Sequence, residues 1–248
     1  MYYVWSMILL LCLIFIGKRY VQAAKGKSET SRGKKISFVL GLCLFFAAQS
    51  VVALQAGSYS FFVHMIQQTI TYFIVPILVI QGLTEEMAAS LHRYLDTRWF
   101  EMFTKPMIAG ALFPILFSLY YLPVVFDTVM SQPLLQLAAM LILLAPAFLM
   151  WWPMAASTGN DKALTPMIRI PYIFVIALLF TPIGIYIIFS EPLYSNYTLS
   201  GQQVGGTVWK VSTAFIYILM IGRSLSESVK LDREEEKRQV RMYQTGSE

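Results

Sequence analysis

Four side chains in the stretch from Ser58 to Gly82, SYSFFVHMIQQTITYFIVPILVIQG, are chemically out of keeping with their neighbours: His64, Gln67, Gln68 and Thr71. On a helix, their spacings of three, four and seven residues put an imidazole, two amides and a hydroxyl on one face. Such a face can recognise a polar ligand by hydrogen bonds. If sulfur joins the imidazole, it can also hold a soft metal ion.

Imidazole and thioether ligands suit copper, and soft sulfur selects the cuprous ion. Met65, Met130 or Met140 could supply that sulfur beside His64. Methionine is also a common filler of apolar cores, and a lone histidine on a polar helical face can simply be hydrogen-bonded. The other histidine, His92, falls in a different segment and cannot share a first coordination shell with His64.

The elements that position this face are membrane spans. Hydrophobic residues make up 57% of the chain and charged residues 13%, against roughly 25% charged in soluble domains. Mean hydropathy is +0.60. Apolar runs long enough to cross a bilayer are expected at 2–16, 36–55, 58–82, 106–125, 133–152, 167–190 and 204–222. The sequence thus predicts an all-α, polytopic bundle of seven transmembrane helices, followed by a charged tail over 223–248. AGSYS and FDTVMSQ read as short turns between spans, and 85–98 as an interfacial helix with Trp99 as an aromatic anchor.

Charge sets the expected orientation. With the N-terminus outside, eighteen of the nineteen Lys and Arg residues fall in segments assigned to the cytoplasm, and Lys210 is the exception. The net charge of +5 is explained by these loops and does not indicate nucleic acid. The first run has its positive charge after the apolar residues, at Lys18 and Arg19, the reverse of a cleaved signal peptide. The tail reads as a solvated helical extension with pairs such as Glu234 and Arg238.

Placed by depth, the polar residues gather toward the outer leaflet. His64, Gln67 and Gln68 lie in the third span, Tyr120 and Tyr121 near the outer end of the fourth, and Asp127 just beyond. Gln136 is about one turn into the fifth, and Gln202, Gln203 and Lys210 border the outer end of the seventh. Lys210 could pair with Asp127 or Glu191, or snorkel to the headgroups. Cys12 and Cys43 sit in apolar runs and read as small buried hydrophobes; a dithiolate site is the alternative. Pro76, Pro114, Pro146, Pro171 and Pro182 read as tolerated kinks. The sequence carries no nucleophile motif, HExxH or phosphate loop, so an enzyme is not expected.

The motifs HMIQ with the following proline-bearing run, TKP, LPVVFD, WWP and GQQVGGTVWK occur together in this order. From about residue 36 to 222 the chain resembles the bacterial CtaG-like cytochrome c oxidase assembly factors. The resemblance implies a seven-helix protein of the cytoplasmic membrane that assists assembly of a copper-and-haem oxidase. Its partner would be an oxidase subunit or a copper chaperone, its copper site would lie at the outer face, and His64 with Met65 would be candidate ligands. The chain departs from the family pattern at Gln68, Tyr121 and Gln136, where members often carry His, and at Gly201, where Asp commonly precedes QQxGG. Amide and phenol are poor cuprous ligands, so these departures weaken the metal part of the task. The expected site comprises His64, Gln67, Gln68, Thr71, Tyr121, Gln136, Gln202 and Gln203, rimmed by Lys210 and Asp127. Two other tasks fit the same pocket: a metal-independent subunit or scaffold of a respiratory complex, and a small-molecule transporter or receptor.

Overall fold

The computed structural model describes residues 2–24, 31–84, 87, 90, 102–155 and 164–245. All the secondary structure in these residues is helical. The helices are α1 (Tyr2–Ala24), α2 (Arg32–Ala48), α3 (Val51–Tyr59), α4 (Phe61–Gly82) and α5 (Pro106–Tyr120). They continue with α6 (Pro123–Met130), α7 (Pro133–Ala155), α8 (Pro166–Leu179), α9 (Thr181–Phe189) and α10 (Leu199–Thr245). Five spans are long and apolar enough to cross a membrane, and seven result if the bent pairs α2–α3 and α5–α6 each count as one. The expected interfacial helix, with His92, lies outside the described residues apart from Met87 and Ser90.

The breaks depart from the expected spans. AGSYS is not a turn: it belongs mostly to α3, which meets α2 at 52°. Ser50 makes this corner by capping α3, its hydroxyl accepting from the Ala53 amide. FDTVMSQ is likewise mostly helical, in α6, which turns 75° from α5. Pro123 accounts for that corner, because proline disfavours helical geometry at the residue before it.

α4 is the central element. Buried residues make up 61% of its most apolar stretch, against 11% for α1. It packs on α2 and α3 along one side and on α7 and α10 along others, so its polar stripe is covered by protein, where in lipid it would be costly. Its middle is a π-helical turn, Ile70–Ile74, just ahead of Pro76. Proline lacks the N–H that the Tyr72 carbonyl would accept. The Trp151 indole of α7 supplies a donor instead, at 3.0 Å.

Close approach of α2 to α4 depends on glycine. A Cβ at Gly82 would lie 2.7 Å from the Phe38 backbone nitrogen, and one at Gly41 would lie 2.9 Å from Val79 Cγ2. Tyr20 of α1 stacks on Phe38 at 3.9 Å and donates its hydroxyl to the Gly82 carbonyl at 2.7 Å. The main core is aromatic, with Phe73, Phe113, Phe117, Phe180, Trp151 and Trp209 all fully buried.

Cys12 and Cys43 are exposed, not buried as expected. A small apolar side chain is satisfied by hydrocarbon as well as by a protein core, so its presence in an apolar run does not decide which way it faces.

Candidate functional site

α4 begins at Ser60, whose hydroxyl accepts from the Val63 amide at 3.4 Å. Over the next turns His64, Gln67, Gln68 and Thr71 all point into the protein, each buried. The end of the bundle holding this cap is the head end; the other, where α10 continues into charged residues, is the tail end. Three links close the head end. Tyr194 donates to the Tyr121 carbonyl at 3.0 Å, Tyr197 donates to the Gly57 carbonyl at 2.7 Å, and the Ser195 amide donates to the Asp127 carboxylate at 3.3 Å. Burial, with the neighbouring Asp127 carboxylate among the lesser causes, raises both loop phenols above their ordinary value. Both therefore stay neutral donors at physiological pH.

Below this closure lies a cavity of about 30 Å3, room for one or two water molecules. Its polar lining is Gln49, His64, Gln67, Gln68, Tyr72, Tyr120 and Gln136; Leu54, Met130 and Met140 complete it. Among the described residues the lining contains no Asp, Glu, Lys or Arg, so it suits a neutral ligand or a soft monocation better than a hard, multiply charged one.

The imidazole and three of the four lining amides are held by the chain itself. His64 Nε2 shares a hydrogen bond with the Tyr121 hydroxyl at 3.0 Å. The imidazole is framed by aromatic rings, including Phe126 at 5.3 Å and Phe61 at 5.9 Å between centroids. Gln67 donates to the Ala48 carbonyl at 3.2 Å, a bond available because the bend after α2 frees that carbonyl. Gln49, at the bend, donates to Thr71 at 2.9 Å. Gln136 donates to the Met130 carbonyl at 2.9 Å and accepts from the Tyr2 hydroxyl at 3.0 Å, tying α7 to α6 and α1. Gln68 is the exception: its buried Oε1 has no hydrogen-bond partner. A buried acceptor without a partner is costly, so this oxygen is ready for a donor entering the cavity.

The structure thus gathers His64, Gln67, Gln68 and Gln136 around one cavity, with Tyr121 and Thr71 bonded to members of the lining. It does not bring the remaining expected residues there. Gln202 clamps the loop after α9, accepting from the Leu193 amide at 2.8 Å and donating to the Ile187 carbonyl at 2.9 Å. Gln203 is exposed on α10. Asp127 pins Ser195 outside the cavity. Lys210 pairs with neither Asp127 nor Glu191, and its amine reaches Thr181 of α9 at 3.5 Å. A helix rises about 1.5 Å per residue, so Lys210, eleven positions into α10, sits well below Glu191 in the loop after α9 and Asp127 on α6.

Met65 is fully buried in the aromatic core and does not line the cavity. Met130 and Met140 do, and with His64 they form a soft, neutral donor set compatible with a cuprous ion. Among the described residues there is no group of three or more His, Cys, Asp or Glu side chains that could hold a metal. Gln49 and Tyr72 are lining residues that sequence reading did not single out. The glutamine within AAQSVV was a legible signal, since an amide inside an apolar run needs a partner.

Comparison with curated proteins finds no match, and neither does comparison with solved structures. The family model described as cytochrome c oxidase caa3 assembly factor (Caa3_CtaG) matches residues 14–229. That match spans most of the described helices and the whole cavity, and the chain belongs to this family of cytochrome c oxidase assembly factors.

Proposed function

We propose that this protein assists assembly of cytochrome c oxidase as a non-enzymatic factor of the cytoplasmic membrane, with the His64 cavity as the site that contacts the oxidase's copper. The supporting observation is the lining itself: one imidazole and two thioethers, with no charged side chain among the described lining residues. Such a set binds a cuprous ion weakly enough to pass it on. The distribution of Lys and Arg supports an orientation with the head end outside, toward a copper chaperone or the copper-bearing part of an oxidase subunit. The chain adds a small cavity and a histidine held by Tyr121; cuprous copper is the cargo.

The test is metal analysis of the reduced, anaerobic, purified protein. Near-stoichiometric cuprous ion, lost in His64→Ala, is the expected result. A protein that stays metal-free at micromolar copper removes the copper part of the reading. In cells lacking the protein, oxidase activity and oxidase copper content are both expected to fall, and normal values for both would remove the assembly role.

A metal-independent scaffold is the second reading. It is favoured by the way Gln67, Gln136 and Thr71 spend their hydrogen bonds within the chain. Under it, oxidase assembly fails in the deletion strain while His64→Ala is neutral. A transporter has less support, because the cavity holds only about 30 Å3.

A further inference from the structure

α10 carries a second polar stripe, on the opposite kind of surface from that of α4. Gln203, Thr207 and Lys210 follow at intervals of four and three, so they share one helical face. Gln203 and Thr207 are exposed and Lys210 is half-buried. Around them the surface is apolar, as hydrocarbon requires: Ile185, Phe189, Val204 and Val211 are each more than half exposed.

Lys210 is the residue that needs explaining. It lies eleven positions into α10, about 16 Å along the axis from Leu199, roughly half the thickness of a hydrocarbon core of about 30 Å. Its partner Thr181 opens α9, about 12 Å from the Phe189 end of that helix. The amine is therefore held down between two helices. Among the described residues no carboxylate forms an ion pair with it; its hydrogen bond to Thr181 is long at 3.5 Å, and its other contact is the face of the Trp209 ring, 5.8 Å from the centroid, which attracts the charge without neutralising it.

The chain is shaped to keep the lysine stem in this place. A Cβ at Gly184 would lie 2.5 Å from Lys210 Cδ, so the glycine leaves a slot for the stem. One turn above, Gly206 packs against Ile187 and Ile188 in the same way. A charge held at this depth costs several kcal/mol unless it is paired. A bare lipid surface offers no counter-charge there, and headgroup phosphates lie too far up for an amine anchored at Thr181.

We propose that the face of α9 and α10 centred on Lys210 docks a membrane-spanning helix of another protein, which presents an Asp or Glu carboxylate to the Lys210 amine. Thr207 and Gln203 line the track above the ion pair, and exposed Ala214, one turn below, lets the partner backbone come close. Charge complementarity at mid-membrane selects the partner, because few membrane helices carry a carboxylate at that depth. The docking face is separate from the His64 cavity and does not depend on copper binding there.

The test places a photo-crosslinking amino acid at Thr207 of the full chain, in membranes of cells assembling the oxidase. The expected product is a crosslink to one membrane protein, mapped to a spanning segment that contains Asp or Glu. Lys210→Met should lower the yield by about tenfold or more, as for loss of one member of a buried charge pair, while Lys210→Arg keeps it. Lys210→Glu should recover the crosslink when the partner's carboxylate is exchanged for lysine. Crosslinks only to lipid or to a second copy of this chain, no crosslink at all, or a partner segment without a carboxylate would each overturn the proposal. So would an undiminished yield in Lys210→Met. Because mapping is done with Lys210 intact, it decides the matter even if Lys210→Met fails to accumulate. A carboxylate-bearing partner that is not an oxidase subunit would leave the docking face standing and count against the oxidase reading alone.

Discussion

The indole of Trp151 donates to the carbonyl of Tyr72 at 3.0 Å, across the interface between α7 and the π-helical turn of α4. That carbonyl lies in the turn to which Pro76 offers no N–H. A gap in the hydrogen bonding of the central helix is thus closed by a neighbour, and the turn carries Thr71, the last member of the His64 stripe. Tyr72 itself lines the cavity, so the hydrogen bond fixes both the helix and part of the site.

Replacing Trp151 by Phe keeps an aromatic ring in the core and removes the donor. The Tyr72 carbonyl would then be buried and unpaired, at a cost of about 1–3 kcal/mol. Thermal unfolding in detergent should show a midpoint lowered by several degrees with helical circular dichroism intact at low temperature. An unchanged midpoint would mean that the indole contributes only packing.

Two glycines should respond in opposite ways to alanine. At Gly82 the added Cβ would lie 2.7 and 2.8 Å from backbone atoms of Phe38, so α2 and α4 must move apart. A loss of about 1–3 kcal/mol is expected, read as a lower unfolding midpoint. At Gly222 nothing lies within 4 Å of the added Cβ. There alanine should be neutral or stabilising by up to about 1 kcal/mol through helix propensity. Equal effects at the two sites would contradict close helix contact at Gly82.

Helices and the central place of α4 were legible in the sequence because apolar run length and an amphipathic polar stripe depend only on local spacing. The corners after Ala48 and Tyr120 were not read, although Pro123 carried the signal for the second. Cavity membership depended on which helices meet. The His64 stripe follows from spacing within one helix, whereas Gln49 enters only because the α2–α3 bend turns it toward Thr71. Gln202 and Gln203 looked alike in sequence, yet one is buried as a loop clamp and the other faces outward. Adjacent residues on a helix point about 100° apart, and only the packing of α9 decides which of them is covered.

Glu227 gives a pH dependence whose direction can be derived. It lies past the apolar run of α10, accepts from Arg223 at 2.8 Å and bonds Arg169 of α8, which is 7% exposed. Burial alone would raise its carboxyl, but the Arg223 hydrogen bond and the charges of Arg169 and Arg223 outweigh this and hold it below its ordinary value. A depressed carboxyl contributes stability above its unfolded value and loses it as pH falls through the folded one. The unfolding midpoint should therefore drop on acidification below the usual carboxylate range, and Glu227→Gln should flatten that drop. Because Glu227 is partly exposed, the effect should be modest and reduced by salt. An identical acid profile in wild type and Glu227→Gln would show that the pair does not anchor α10 to α8.

Gln68→His is the sharpest probe of the cavity. Gln68 and His64 are four residues apart on α4, both buried and both lining the same space, and the Gln68 oxygen is already unpartnered. Histidines at this spacing on one helical face can grip a single metal ion. The substitution sacrifices no hydrogen bond made by that oxygen, and the new imidazole would share the lining with Met130 and Met140. If the cavity handles cuprous ion, affinity should rise on the order of 10–100-fold, a range over which even outer-shell partners move metal affinity. Competition against a cuprous chelator measures it. Gln68→Leu should leave binding near wild type while removing the unpaired acceptor, so its fold should be no less stable. Adding His64→Ala to Gln68→His should abolish the gain, since one imidazole would again stand alone. If Gln68→His binds no more tightly than wild type, the cavity does not admit the metal, and the scaffold reading of the pocket takes its place.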